Sequence, residues 1–397
     1  MECMITYLRN VSPSVLDGTA LLRLDFNTKD DWRMRAVIPT VKFLLDAGVT
    51  IVVVSHRGRP SGGSLVNGVP TGFPSDLHLR KDAAKLSALI GRRVAFIDHF
   101  RFPEIKERVA ASPHGSVFLL DNLRFMPGEE RNDPKFARQL ASLADFYVND
   151  AFAVSHRANA SVVAVTDLLP SYGGLELQDE IEGLSRAIMA PVHPVVLILG
   201  GAKASDKLGV VRRFRSRADT FLLGGGSANS ILALRGIDVK ESLRETDPKV
   251  LAALKPLARN PKVVLPADLV WGRGKDAGKI LDLGPRTQKL FAARIAAART
   301  IVWSGPLGFI ERAPYANASI AVARAIGRNK KAFSLTGGGE TVMFLKKYGL
   351  DKGFSFISTG GGAMLDFLAG EKLPGIVALG KQRMRPRTKK RNARSVA

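Results

Sequence analysis

The chain predicts an α/β protein built on parallel sheets, and three observations carry that expectation. Glycine-rich turns follow β-branched runs and lead into helix-like stretches. Strand and helix signals alternate along both halves. Of the 397 residues 46% are hydrophobic but only 7% aromatic, which suits Val-, Leu-, Ala- and Gly-rich α/β cores. The turns are LILGGAKASDK (197–207), FLLGGGSANS (221–230), VWSGPLGFIE (302–311), LTGGGETV (335–342) and ISTGGGAML (357–365). One such turn is ordinary. Five in one half imply strand ends that converge on a phosphate-bearing ligand, because bare backbone N–H groups and helix N-termini bind anions. Open α/β sheets hold ligands at the carboxyl ends of their strands.

Taken in order, the N-terminal half predicts a strand over 19–26, a helix over 32–47 and a buried strand over 49–55. A Gly-, Pro- and Ser-rich loop covers 57–74. A helix over 76–90, strands over 93–97 and 116–120, a helix over 135–143 and a strand over 146–149 follow. LELQDEIEGLSRAIMA (175–190) has helical spacing between Gly173-Gly174 and Pro191, and predicts a helix joining two α/β domains. The expected division is an N-terminal domain over 1–171, an interdomain segment over 172–190 and a C-terminal domain over 191–370. A segment over 371–380 returns to the N-terminal domain, and a basic, disordered tail covers 381–397.

Composition narrows the class. The single cysteine, Cys3, excludes an intrachain disulfide and a thiolate metal cluster, and fits a reducing cytoplasm. MECMITYLRN has no signal-peptide core, and no run approaches the roughly 18 apolar residues of a membrane span. Net charge is +23 and the pI about 10.4, which raises nucleic acid as a partner. Eight Lys/Arg and no acid fall in 381–397; a solvated extension is the favoured reading of that tail.

The halves differ in what their strand ends carry. The first places Arg23, Asp25 and Asn27 (RLDFN), His56 and Arg59 (SHRGRP), Arg124 (DNLRF), and His156 and Arg157 (SHRANAS) there. The planar fork of arginine suits phosphate and carboxylate, so this half reads as a pocket for a small polyanion. The second half offers glycines with Lys203 and Lys207, a nucleotide cradle; four residues apart, the lysines would share one face if both lay on a helix. Phosphoryl transfer needs positioning and charge cancellation more than covalent help. Competing motifs fail. GKDAGKI (274–280) has the wrong spacing for a P-loop, no G-x-G-x-x-G follows the first strand, and no zinc-binding spacing appears.

A dozen ordered strings, from RLDFN through LGGAKASDK, VWSGPLG, TGGGET and STGGGA to LPGIVAL, resemble phosphoglycerate kinase over about 21–379. The resemblance implies two Rossmann-like domains with parallel sheets facing a cleft, joined by a helix hinge. It also implies reversible phosphoryl transfer between 1,3-bisphosphoglycerate and Mg-ADP, giving 3-phosphoglycerate and Mg-ATP in glycolysis. By the same resemblance the phosphoglycerate pocket is Arg23, Asp25, Asn27, Arg33, His56, Arg59, Arg124 and Arg157. Arg33, Lys203 and Lys207 are catalytic. Gly201, Lys203, Lys207, Gly225, Gly305, Pro306, Glu311, Gly338, Gly339 and Thr341 bind nucleotide, Glu340 holds Mg²⁺, and Ser358 to Gly362 form a hinge and phosphate-side loop. The family resemblance also implies a monomer.

Five departures stand out. The loop after Asn27 is several residues shorter than the family's. Ser304 and Glu340 replace an asparagine and an aspartate, and Asn159 and Ala160 replace His and Ser after an altered Ala153-Val154-Ser155. The basic tail runs past the family's usual end. An active kinase is the favoured expectation, since Arg23, Arg59, Arg124, Arg157, Lys203 and Lys207 all stand. The alternatives are a weakly active homologue that binds nucleic acid through its tail and a kinase for another small acid phosphate.

Overall fold

The computed structural model describes residues 5–28 and 30–381; Cys3 and the tail from 382 onward lie outside the described residues. The chain forms two units. The first comprises residues up to 151 together with 157–177 and the segment from 374; the second comprises 152–156 and 178–373. The helix Leu175–Ile188 carries the chain from one to the other.

The first unit holds a six-stranded sheet: β1 (Thr19–Arg23), β2 (Thr50–Val54), β3 (Val94–Ile97), β4 (Val117–Leu120), β5 (Phe146–Asn149) and β6 (Ser171–Gly173), in the order β3-β4-β2-β1-β5-β6. Every pairing is parallel. Helices cover both faces of such a sheet, so its central strands read as unbroken apolar runs rather than alternating ones. All five residues of β2, TIVVV, are buried. The core gathers Leu22, Leu24, Val41, Leu44, Ile51, Val53, Leu119 and Val148.

The second unit repeats the architecture with β7 (Val195–Leu199), β8 (Thr220–Leu223), β9 (Val263–Val264), β10 (Thr300–Ser304), β11 (Phe333–Gly337) and β12 (Phe356–Ser358). Their order is β9-β8-β7-β10-β11-β12, again all parallel. It is the dinucleotide-fold order, which reverses direction between β7 and β10. Its core includes Ile198, Leu222, Phe291, Ile301, Trp303 and Leu345. Among the described residues no helix is long and apolar enough to cross a membrane.

The strand expected over 146–149 forms with those bounds. Others are corrected. The helix expected over 32–47 is two, Trp32–Ala36 and Ile38–Asp46, parted at Val37 (φ −90°, ψ −3°), with Pro39 in the first turn of the second; proline fits there because that N–H lacks a helical partner anyway. The helix over 76–90 is a 3₁₀ turn, Ser75–Leu77, followed by Arg80–Ile90. The loop over 57–74 contains a hairpin, Ser64–Val66 with Val69–Thr71. Asn67 and Gly68 at its tip both have positive φ, 50° and 75°, as a two-residue hairpin turn requires. The helix Phe102–Ala110 and the strand β6 were not anticipated.

Candidate active site

In the first unit the basic residues gather at the carboxyl ends of the central strands. Arg23 closes β1, His56 follows β2, Arg124 lies on the 3₁₀ turn Leu123–Phe125 after β4, and Arg157 follows β5. Asn122 holds the arrangement. Its Nδ2 donates to the Arg57 and Leu77 carbonyls at 2.7 and 3.0 Å, and its Oδ1 accepts from the Arg57 and Arg124 amides, each at 3.1 Å. Fully buried Asp121 beside it accepts from the Leu79 amide at 2.9 Å and meets His78 Nδ1 at 2.6 Å.

Asp25 accepts from the Asn27 amide at 2.8 Å and from Arg33 Nη1 at 2.7 Å. Arg33 therefore reaches the pocket despite the short loop. Burial works to raise the Asp25 pKa, but Arg33, the Asn27 amide and Arg23 hold the carboxyl below its ordinary value. Asn27 Oδ1 accepts from the Gly58 amide at 2.9 Å. Arg124 is 9% exposed, donates to the Gly58 carbonyl and lies 3.1 Å from Glu130. Burial lowers its pKa; Glu130 opposes this, and Arg157 and Arg23 add repulsion. Repulsion among neighbouring cations is the electrostatic sign of an anion site.

Two expected ligands differ sharply in setting. Arg59 is exposed. Arg23 is 1% exposed and donates inward, to Ser161 Oγ at 2.9 Å, to the Leu24 carbonyl and to His56 Nδ1 at 3.2 Å. Arg57 was passed over as a site residue. It ties the Phe26 and Thr28 carbonyls and Asp82 together at 2.8, 3.0 and 2.6 Å, which holds the Asn27 loop. Buried Glu129, also missed, accepts from Ser161 N and Oγ at 3.0 and 2.6 Å and from Asn159 Nδ2 at 3.4 Å.

In the second unit all five glycine turns follow strands of the sheet. Three of them interlock at the switch point. The Gly200 amide donates to Ser304 O at 2.9 Å, Gly201 to Pro306 O at 2.6 Å, Gly225 to Leu307 O at 3.0 Å and Gly226 to Gly201 O at 2.9 Å. A Cβ on Gly200 would collide with the Pro306 carbonyl, so the backbones approach as closely as they do only because no side chain intervenes. Ser304, in place of the family's asparagine, is buried here.

These turns border a cavity of about 370 Å³. Of the residues that the resemblance assigns to nucleotide and metal, Gly201, Gly225, Pro306, Glu311 and Glu340 line it, joined by Asn229, Leu243, Asp282 and Phe309, which sequence reasoning did not single out. Leu243 and Phe309 are large apolar residues left 60% and 38% exposed. Gly305 contacts Gly200 behind the lining. Gly338 caps the helix Gly339–Lys347, whose first turn contains Glu340 and buried Thr341. Ser358 Oγ donates to Glu180 Oε2 at 2.7 Å, and the Thr359 amide to the same carboxylate.

The lysines do not share a helical face. Lys203 is exposed, ahead of the 3₁₀ turn Ser205–Lys207. Lys207 is 8% exposed, with Nζ donating to the Lys203 carbonyl at 3.2 Å. Among the described residues no carboxylate pairs with it within 4.0 Å. Burial lowers its pKa, opposed by Asp206 and Glu340. A buried ammonium without a paired carboxylate invites an anionic ligand.

A sequence profile of the phosphoglycerate kinase family matches residues 13–371. The phosphoglycerate kinase of Moorella thermoacetica is 42% identical over 384 residues, covering 90% of this chain and 95% of that protein. That of Dictyoglomus turgidum is 39% identical over 384 residues, covering 90% and 94%. The solved phosphoglycerate kinase of Pyrococcus horikoshii superposes with a TM-score of 0.82 at 31% identity, over 94% of this chain and 98% of that one. With two parallel six-stranded sheets, glycine turns at the strand ends of one and basic residues at those of the other, the chain belongs to the phosphoglycerate kinase family.

Proposed function

We propose that the protein catalyses reversible phosphoryl transfer between ATP and the carboxylate of 3-phosphoglycerate, each unit binding one substrate. The observation that carries this reading is Lys207, buried against Gly201 where three glycine turns meet, with no carboxylate paired to it among the described residues. That setting supports a nucleotide whose phosphates take the ammonium and the free amides heading the helix Gly339–Lys347. Apolar Leu243 and Phe309 suit the base, and Glu311 suits the ribose hydroxyls.

In the first unit, Arg59, Arg124, Arg157 and His56 suit the acid's phosphate, Arg33 and Asn27 suit its carboxylate end, and Asp25, which accepts from Arg33, aims that guanidinium. The acceptor oxygen is already ionised, so no general base is needed; arginine and lysine offset the charge that builds on the moving phosphoryl group. Among the described residues no cluster of three or more His, Cys, Asp or Glu could hold a metal ion. Glu340 alone, beside Lys207, fits an ion that arrives on nucleotide phosphates, since Mg²⁺ is commonly held by one or two carboxylates plus substrate oxygens. When bound, Mg²⁺ neutralises phosphate charge. The test is ATP-dependent phosphorylation of 3-phosphoglycerate with Mg²⁺, read by a coupled NADH-consuming assay. Turnover in the range of about 1–10³ s⁻¹ is expected, and none above background in a folded sample would overturn the reading.

A further inference from the structure

Guanidinium groups carry donors and no acceptor. Arg23 Nη2 stands 3.2 Å from His56 Nδ1, so that ring nitrogen must present its lone pair. The guanidinium is held from its other side. Nε donates to Ser161 Oγ at 2.9 Å, Nη1 donates to the Leu24 carbonyl, and Nη2 lies 3.9 Å from Glu129 Oε1. Glu129 is itself pinned by Ser161 N and Oγ, and Arg23 and Glu129 are 1% and 0% exposed.

His56 is 2% exposed. The charged groups facing it are Asp25, whose Oδ1 lies 3.7 Å from Nδ1, and Arg23, Arg124 and Arg157. Burial is the leading cause that keeps the ring neutral; Asp25 opposes it and the three arginines reinforce it. Among the described residues the ring has no other hydrogen-bond partner.

We infer that Arg23 is a positioning residue which, locked by Glu129 and Ser161, fixes His56 as the Nε2–H tautomer so that the ring offers a donor to a bound anion. Only the identity of that anion, 3-phosphoglycerate, rests on the proposed function. A lone pair at Nε2 would repel a phosphate or carboxylate oxygen, whereas an N–H attracts it. The pocket thereby gains a neutral donor among its arginines.

The test is the ¹⁵N spectrum of His56 in the labelled full chain near neutral pH without substrate, with the His56→Asn spectrum identifying its signals. Unprotonated Nδ1 and protonated Nε2 are expected; an Nδ1–H tautomer or a doubly protonated ring overturns the inference. The Arg23→Met/Glu129→Gln double variant removes the donor together with its counter-charge. A mixed tautomer is expected, with a KM for 3-phosphoglycerate raised about tenfold, the scale of one weakened hydrogen bond to a charged group, and an unchanged KM for ATP. An unchanged tautomer in a folded variant overturns the inference; if the variant fails to fold, the spectrum of the unaltered chain decides. The expected tautomer in a chain that does not bind 3-phosphoglycerate would uphold the inference and remove the proposed ligand.

Discussion

Lys207 and Arg59 carry formally similar charge in opposite settings, and the difference sets what each loss would do. Lys207 is buried and held on the Lys203 carbonyl; replacing it with methionine keeps the packing and removes the charge. Turnover is expected to fall by about 10²–10³ with the circular dichroism spectrum unchanged, and near-normal turnover would count against the nucleotide assignment. Arg59 is exposed, so Arg59→Ala costs no core packing. Its expected effect is a higher KM for 3-phosphoglycerate with little change for ATP, measured by varying each substrate in turn; equal rises would contradict assignment of the two substrates to different units. The sequence made the charged residues legible but not their settings. Arg23 and Arg59 read alike as arginines after strands, yet one is sealed behind Glu129 and Ser161, which lie more than a hundred positions along the chain from Arg23.

Among the elements, the helix Leu175–Ile188 shows how a boundary is held by distant side chains. Its Leu175 amide donates to Thr40 Oγ1 at 3.0 Å and its Leu177 amide to Asp150 Oδ1 at 2.9 Å, so donors that helix geometry leaves unpaired are satisfied from elsewhere in the first unit. Gly174 leaves room for the Asp150 carboxylate, which a Cβ there would strike. Asp150→Ala is expected to destabilise the fold by about 1–2 kcal/mol, seen as a lower Tm, and Asp150→Asn, which keeps an acceptor, by less. Helical spacing gave this element from the sequence, but its cap was invisible because Asp150 is far upstream. Local signals did exist for two elements that were overlooked. Phe102, Ile105 and Val109 share the buried face of a helix opened by Pro103, and Asn67-Gly68 is a standard hairpin pair.

At the scale of the molecule, stability should depend on Asp282. It is buried at the edge of the 370 Å³ cavity, its Oδ2 accepts from the Ala318 amide at 3.2 Å, and among the described residues its Oδ1 has no hydrogen-bond partner. Burial pushes its pKa from 3.8 to about 6, against the backbone amides of Leu283, Ala318 and Asn317. A carboxyl raised on folding contributes stability that is fully present below its unfolded pKa and is lost as pH rises through the folded one. For Asp282 that window is about pH 4–6. Asp282→Asn, neutral throughout, should therefore gain stability relative to the unaltered chain as pH rises from about 4 to 6, measured by urea unfolding at each pH; a pH-independent difference would show that the carboxyl does not titrate in that range. The parallel α/β class was legible in the glycine turns and alternating elements. The expected return of 371–380 to the N-terminal domain had no local signal behind it, because which unit a terminal segment joins depends on contacts far apart in sequence. The short helix Pro374–Gly380 packs on Ala164–Asp167 and Ser171–Gly173 of the first unit, with Ala378 and Leu379 buried. During synthesis, residues 178–373 must be made before that helix exists. At about 5–20 residues per second this leaves roughly 10–40 s in which the nascent first unit lacks the cover that this helix later provides.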